Sequence, residues 1–341
     1  MTVNARGQFV SRVKENAPLC RDHFRLVLTV AAFGPTEPGQ FVQVSCRDVH
    51  AAQTGEFEVE WTGEGRVDVT EPTLLGPQAM LRRPFSLAGR RDTPEGVELD
   101  VIHRVVGVGT EWLSRLKPGD EVGVLGPLGN KFVLPPEDAT AILVGGGVGI
   151  PPMIYLAEKL AGRRAVAFAG ALTRDLLPLT ILQEPSTDPI TPTPSIAEFA
   201  RHGIPSMITT DDGSAGLRGF VTQALEAWLD KSGWVVGWWG GGVKSEPSTP
   251  PLHHAITPPP IIYTCGPEPM MKRVADIAAA RGIECQIAVE RAMACGMGTC
   301  QSCCIRVKKP DPSQPPLPGR DWCYRLACTD GPVFRGTDLL W

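Results

Sequence analysis

Six of the ten cysteines fall between Cys295 and Cys328, and their spacing carries more chemistry than any other feature of the chain. Cys295-x4-Cys300-x2-Cys303, followed by Cys328, has the spacing of plant-type [2Fe–2S] ligation, in which four thiolates converge on two irons. Gly296 and Gly298 suit a loop wrapped closely round such a group, because residues without a Cβ reach the unusual dihedrals it needs. Loop amides aimed at the sulfurs would stabilise the charge of a reduced cluster. Zinc, the other use of four thiolates, pairs Cys-x2-Cys with a second such knuckle. Here the first spacing is four and the last cysteine stands alone. Cys323 could stand in for Cys328. Cys304 adjoins a ligand, so it should point away, as a buried or half-buried thiol.

Two glycine turns form a second constellation. Gly145-Gly146-Gly147-Val148-Gly149-Ile150-Pro151-Pro152 joins a short apolar run, Ala141 to Val144, to a helical stretch, Met153 to Leu160. Backbone amides and a helix N-terminus exposed by such a turn can meet a pyrophosphate, although the third glycine of the dinucleotide fingerprint is replaced here by Pro151. Thr264-Cys265-Gly266-Pro267 repeats the arrangement, at a strand end before a helix that opens with Pro269. Cys265 would face a nicotinamide without acting as a covalent nucleophile, or be an inert buried thiol. A third, fainter constellation joins Arg83-Pro84-Phe85-Ser86 to Ile102-His103-Arg104 and to Gly109-Thr110. Two arginines on neighbouring strands beside a Gly-Thr helix start could hold another pyrophosphate. Alone, His103 reads as a half-buried histidine.

The elements that must position these residues change character along the chain. Before residue 138, alternating runs such as Phe24 to Val30 and Val97 to Val105, separated by Pro38-Gly39 and Lys117-Pro118-Gly119-Asp120, predict a small antiparallel barrel. A short helix is expected over Glu111–Leu116. From Thr140 onward strands and helices alternate, which predicts a doubly wound parallel sheet. Its strands are Ala141–Val144, Ala165–Ala169, Ser206–Thr210 and Ile261–Thr264, with helices over Phe220–Leu229 and Pro269–Ala280. In such a sheet both glycine turns lie at the carboxyl ends of strands, where ligands bind. The fold class is therefore β plus α/β: a barrel over 1–137, a doubly wound sheet over 138–284 and a small cysteine-bearing unit over 285–341. Residues 47–80 read as an insertion or extra hairpin, and 185–194 and 233–260 as Pro-rich excursions.

The bulk properties exclude several classes. The 341 residues are 43% hydrophobic and 21% charged, a globular composition. A net charge of -4 gives no reason to expect nucleic-acid binding. No apolar run approaches the ~20 residues a bilayer requires. Asn4 and Arg6 without an apolar core read as no secretory signal. Clustered cysteines suit metal or redox work in a reducing compartment, so a cytoplasmic location is expected.

Taken together, the motifs resemble the ferredoxin–NADP reductase superfamily, and within it the electron-transfer subunits of NAD-linked, two-subunit dihydroorotate dehydrogenases. The resemblance runs through Arg83 to Ser86, Arg104 to Thr110, Gly126-Pro127-Leu128-Gly129-Asn130, Gly145 to Pro152, Thr210-Asp211-Asp212-Gly213-Ser214, Thr264 to Pro267, Met293 to Cys300 and Cys328-Thr329-Asp330-Gly331-Pro332-Val333-Phe334. It covers nearly the whole chain except the three excursions. Besides the insertions, Cys304 departs from the pattern, standing where an apolar residue is expected.

The resemblance implies FAD held by Arg83, Pro84, Phe85, Ser86, Ile102, His103, Arg104, Gly109 and Thr110. It implies NAD at Gly145, Gly147, Gly149, Pro151, Asp212, Cys265, Gly266 and Pro267. It also selects Cys328 over Cys323 as the fourth cluster ligand. The partner it implies is an FMN-containing dihydroorotate dehydrogenase catalytic subunit in a two-plus-two heterotetramer. Electrons would pass from it through the cluster and FAD to NAD, in pyrimidine (UMP) biosynthesis. A reductase subunit of another complex, such as a sulfide dehydrogenase or a ferredoxin-NADP transhydrogenase, is the alternative. Arg174 could meet a 2′-phosphate or be a solvated loop arginine.

Overall fold

The alternating runs of the first part close on themselves. A computed structural model describes residues 6–50, 61–62, 66–67, 79, 81–231, 259–308 and 321–341. Its first strands are β1 (Gly7–Cys20), β2 (His23–Val30) and β3 (Phe41–Val44). A separate two-residue ladder, β4 (Trp61–Thr62) with β5 (Arg66–Val67), follows. Then come β6 (Arg83–Thr93), β7 (Gly96–Arg104) and β8 (Glu121–Leu128). The six long strands form a closed barrel in the order β1-β2-β7-β6-β3-β8, which leaves no free edge. Leu26, Leu28, Val42, Val44, Leu99 and Val101 fill it. Most of the expected insertion over 47–80, and 233–258 of the last excursion, lie outside the described residues.

Between β7 and β8 the helix α1 spans Val108–Ser114, starting three residues before the expected Glu111. The Thr110 hydroxyl accepts from the amides of Val106 and Gly107 at 2.9 and 3.2 Å. That organises the turn before the helix and draws the Gly107–Gly109 stretch into its first turn.

The second part follows its alternation closely. Strand β9 (Ala141–Gly146) runs through a single 3₁₀ turn, Gly147–Gly149, into α2 (Ile150–Lys159). Next are β10 (Ala165–Ala171), the short α3 (Ala197–Ala200), β11 (Ser206–Thr210) and β12 (Leu217–Arg218). The series ends with α4 (Val221–Lys231), β13 (Ile261–Cys265), α5 (Glu268–Ala280) and β14 (Glu284–Ala288). The excursion over 185–194 does not simply hang in solvent: Thr193 pairs with Ser206 at the start of β11.

In the cysteine-bearing segment, β15 (Cys304–Val307) pairs with β16 (Cys323–Leu326), and β17 (Val333–Arg335) follows. Strand β17 lies antiparallel to β14 and completes a seven-stranded sheet, β12-β11-β10-β9-β13-β14-β17. The sheet therefore takes strands from both sides of residue 284. From β9 the chain winds outward to β12 and then returns to β13 on the other side, so the strand order switches between β9 and β13. Ligands of open α/β sheets bind at such a switch point.

Among the contacts that hold barrel and sheet together, two stand out. Tyr155 of α2, fully buried, donates its hydroxyl to the Thr36 carbonyl at 2.8 Å. At the end of β8, Asn130 clamps the segment leading into β17. Its Nδ2 donates to the carbonyls of Asp330 and Val333 at 3.0 and 2.8 Å, and its Oδ1 accepts from the Val333 amide at 2.8 Å. Asn130→Ala removes all three bonds and strands the Val333 groups, at a cost of about 3 kcal/mol. The expected result is a lower urea midpoint with an unchanged m-value, read by circular dichroism.

Candidate functional site

A cavity of about 710 Å³ opens where the barrel meets the carboxyl ends of β9 and β13. Arg83 to Ser86 reach it from β6, Ile102 to Arg104 from β7, and Gly109 and Thr110 from the start of α1. All nine residues expected at a flavin thus line one space. Cys265 and Val148 close it from the sheet side, and Ala288 to Met293 form the wall nearest the cysteine loop.

The charges in this cavity differ from those on the barrel flank. On the flank, Arg25 grips Asp100 through two nitrogens and Arg91 pairs with Glu98. Arg83 and Arg104 form no ion pair among the described residues, and the Arg104 Nε is buried without a partner. Arg83 Nη1 donates to the Leu81 carbonyl at 3.1 Å, and guanidinium groups without a carboxylate partner converging on a cavity fit an anionic ligand. His103, 1% exposed, stacks on Phe24 and meets the edge of Phe85, and neither of its ring nitrogens has a partner among the described residues. An orphaned imidazole and an orphaned Nε beside unpaired arginines are what a polar, phosphate-bearing flavin dinucleotide would satisfy.

Burial pushes the His103 imidazole down to about 4, with the neighbouring His23 adding to the effect. Burial likewise holds the Cys265 thiol well above its ordinary value, reinforced by Glu290. Cys265 is thus a neutral thiol, in keeping with a packing role beside a nicotinamide. Glu290, which the sequence reading missed, lines the same cavity, and burial raises its carboxyl above the usual range. Nothing in the sequence marked it: it stands two residues past the end of β14.

The glycine turns divide their work. A Cβ on Gly149 would collide with the carbonyl of Cys265, and one on Gly146 would come within 2.5 Å of the Met270 sulfur. These positions are small so that the turns after β9 and β13 can interlock. Gly147, at φ 52 and with open space where a Cβ would sit, leaves its backbone unobstructed. Gly145, Gly147, Gly149, Pro151, Gly266 and Pro267 surround the switch point without lining the cavity itself.

Asp212 also lies outside the cavity, at the carboxyl end of β11. It accepts from the Ser214 amide and hydroxyl at 3.0 and 2.6 Å, and the Ser214 hydroxyl accepts from the Arg174 amide at 2.8 Å. The Arg174 guanidinium pairs with Glu184 at 3.0 Å.

The four cysteines come together in two pairs. The Cys295 sulfur accepts from the amides of Met297 and Cys300 at 3.3 and 3.4 Å, which brings Cys300 beside it. Cys303 and Cys328, both buried, are hydrogen-bonded to each other. The loop reaches this shape through positive φ at Gly296, Gly298 and Gln301. Among the described residues no three His, Cys, Asp or Glu side chains are placed to hold a single metal ion. Two pairs instead suit a cluster of two irons, each taking two thiolates. The Ser302 hydroxyl, then backbone amides and Cys295, hold the Cys300 thiol down at about 6. Burial, then Cys303, pushes Cys328 up to about 12. Cys323 lies opposite Val307, at the far end of the β15–β16 ladder from Cys303. Cys304 is exposed rather than buried or half-buried, because it lies with Arg306 on the outward face of β15, opposite the buried Ile305 and Val307.

Barrel, switch point and paired cysteines define a flavin- and nucleotide-binding reductase of the ferredoxin–NADP reductase type with an attached iron–sulfur segment. Residues 290–340 match the iron–sulfur cluster binding domain of dihydroorotate dehydrogenase B. The electron transfer subunit of dihydroorotate dehydrogenase B (NAD(+)) from Geobacillus thermodenitrificans is 34% identical over 265 residues, covering 76% of this chain and 80% of that one. The subunit of the same description from Fusobacterium nucleatum is 29% identical over 331 residues, covering 96% of each. Among solved structures, the NADH-dependent reduced ferredoxin-NADP oxidoreductase superposes with a TM-score of 0.62 at 25% identity, covering 97% of this chain and 90% of that one. A cytochrome P450 reductase from Amycolatopsis, at 22% identity and a TM-score of 0.52 over 81% of this chain and 66% of its own, shares the fold. The chain belongs to the family of dihydroorotate dehydrogenase B electron transfer subunits.

Two predictions arise from the site. The folded-state value of His103 lies below its ordinary value of 6.5, so its neutral form stabilises the fold above about pH 6.5. That contribution is lost as the pH falls toward 4, by about 3 kcal/mol in all. His103→Phe should therefore flatten the decline of melting temperature over that window in the flavin-free protein. Separately, Cys328→Ser should lose bound iron and acid-labile sulfide, whereas Cys323→Ser and Cys304→Ser should retain the wild-type content and visible spectrum.

Proposed function

We infer that this chain is the electron-transfer subunit of an NAD-dependent dihydroorotate dehydrogenase. It takes up electrons released when dihydroorotate is oxidised at the FMN of a separate catalytic subunit and delivers them to NAD⁺, in pyrimidine (UMP) biosynthesis. One dihydroorotate gives up two electrons and two protons; NAD⁺ takes both electrons and one proton, and the other proton goes to solvent. The observation that carries this reading is continuity: the cavity wall from Ala288 to Met293 runs directly into Cys295. Nucleotide turn, flavin cavity and cysteine loop thereby form one contiguous route.

When bound, the groups supply complementary chemistry: a [2Fe–2S] cluster exchanges one electron, nicotinamide two as a hydride, and FAD either. The residues hold and shield them. Arg83 and Arg104 meet the flavin pyrophosphate, with Ser86, Gly109 and Thr110 beside them, while Pro84, Phe85, Ile102 and His103 pack against the flavin. Cys265, as a neutral thiol, bounds the place where nicotinamide and flavin meet and excludes water from it. Cys295, Cys300, Cys303 and Cys328 hold the irons. Gly147 and the first turn of α2 meet the NAD pyrophosphate, and Asp212 meets the ribose. The Arg174–Glu184 pair leaves that rim acidic, which favours a ribose hydroxyl over a 2′-phosphate.

The flavin unit occupies 1–137, the nucleotide unit 138–284 with β14 completing its sheet, and the cluster unit the remainder to 341. Assembly is with the FMN subunit as a two-plus-two heterotetramer in the cytoplasm. No helix among the described residues is long and apolar enough to cross a membrane.

Co-expression with a dihydroorotate dehydrogenase catalytic subunit from the same source tests this reading. Dihydroorotate should drive NAD⁺ reduction, and Cys300→Ser should bring that rate to background while NADH-to-ferricyanide turnover, which needs only the flavin, persists. Flavin and iron present without dihydroorotate turnover would instead assign the chain to another NAD(P)-linked complex.

A further inference from the structure

Strand β3 presents two faces. Val42 and Val44 enter the barrel core, so Phe41 and Gln43 point outward, by the period of two that governs a strand. Phe41 lines the flavin cavity. Gln43 lies opposite Pro84 of the flavin strand on one side and Leu125 of β8 on the other. It is 0% exposed, and neither its Nε2 nor its Oε1 has a hydrogen-bond partner among the described residues. Burying a carboxamide unmatched costs a few kcal/mol, and folded proteins rarely leave one so. An apolar residue would fill the same space without that cost. A partner supplied by the assembled site removes the anomaly.

The direction of the side chain identifies that partner. A Cβ built on Gly296 would stand 2.8 Å from the Gln43 Oε1 and 2.9 Å from its Cδ. The carboxamide therefore rests against the residue that follows Cys295. Gly296 is at φ 69, and with no side chain of its own it lets the carboxamide reach the loop. The two ends of the carboxamide are interchangeable by a half-turn, so either can face the loop. Gly296 directly follows Cys295, whose sulfur already accepts from two backbone amides. A hydrogen bond to a cluster sulfur stabilises the added negative charge of the reduced state and so raises the reduction potential.

We propose that Gln43 is a positioning residue of the electron path, its carboxamide donating to a sulfur at the Cys295 end of the cluster while its contact with Gly296 seats the cysteine loop against the flavin strand. The proposal rests on the [2Fe–2S] reading of Cys295, Cys300, Cys303 and Cys328. It explains why a barrel strand devoted to apolar packing carries a buried amide at this one position. It also assigns a structural reason to the glycine after the first ligand, since any side chain there would displace the carboxamide.

The test uses the intact protein with flavin and cluster bound. Gln43→Met keeps an unbranched side chain of similar length and removes the donor, and Gln43→Glu keeps the shape and replaces the donor with an acceptor. Redox titration followed by electron paramagnetic resonance should give a lower cluster midpoint potential in Gln43→Met and a lower one still in Gln43→Glu. The reduced-cluster spectrum should change, and the flavin midpoint should stay at its wild-type value. Pulsed resonance on reduced wild-type protein carrying ¹⁵N in its glutamine side chains should detect a nitrogen coupling that Gln43→Met abolishes. This second measurement stands even if a variant fails to load iron. No coupling in the wild type, an unshifted cluster potential in both variants, or a shift confined to the flavin overturns the assignment. Wild-type protein without iron and sulfide would overturn the cluster reading itself, a result that iron and sulfide analysis separates from the others.

Discussion

The eight residues from Cys328 to Arg335 tie the three parts of the molecule to one another. They leave the cysteine loop, pass beneath the Asn130 carboxamide at the end of the barrel and finish as β17 on the edge of the parallel sheet. A planar carboxamide with two donors and an acceptor satisfies both backbone groups of Val333 at once. Buried backbone that found no such partner would forfeit the bonds it makes with water in the unfolded chain. The separation between cysteine loop, flavin strand and nucleotide turn is therefore set by short-range hydrogen-bond geometry. Electron transfer between fixed centres depends on such distances being held.

Burial governs the chemistry inside that frame. His103 and Cys265 are held in their neutral forms because a low-dielectric site disfavours charge without a partner. The walls also carry arginines, whose positive charge cannot be neutralised at any ordinary pH: Arg83 and Arg104 without a carboxylate partner among the described residues, and Arg291, which pairs with Glu268. Such a cavity suits an anionic cofactor whose own ring does the redox work. Nothing in it requires a paired acid and base. The protein's part is placement and the exclusion of water.

Glycine serves two purposes in this chain. At Gly149 and Gly146 the missing Cβ lets the turns after β9 and β13 lock together. At Gly147 and in the cysteine loop the backbone itself is presented, with positive φ at Gly296 and Gly298. A motif that reads as a single nucleotide fingerprint thus contains both packing positions and presenting positions.

How much of this was legible in the sequence depends on the range of the interaction concerned. Strands and helices followed from local periodicity, which is a property of neighbouring side chains, and the barrel and doubly wound sheet followed from their order. The cysteine pattern was readable because thiolates at x4 and x2 spacing have few other uses, while the choice of Cys328 over Cys323 came only from the family resemblance. The flavin residues were faint in isolation, since Arg-Pro-Phe-Ser on one strand and Ile-His-Arg on the next have no meaning until the barrel closes and sets them side by side. Glu290 and Gln43 carried no signal at all. A glutamate after a strand and a glutamine within one are ordinary residues, and only a place on the cavity wall and burial against Gly296 set them apart. The start of α1 and the exposure of Cys304 were misjudged because a turn hydrogen bond decided the first and the outward-facing register of β15 decided the second. Local pattern determined the elements and the cysteine chemistry. Contacts between residues distant in the chain, such as Asn130 with Val333 and Gln43 with Gly296, decided how those elements meet, because packing is a property of pairs that sequence order does not record.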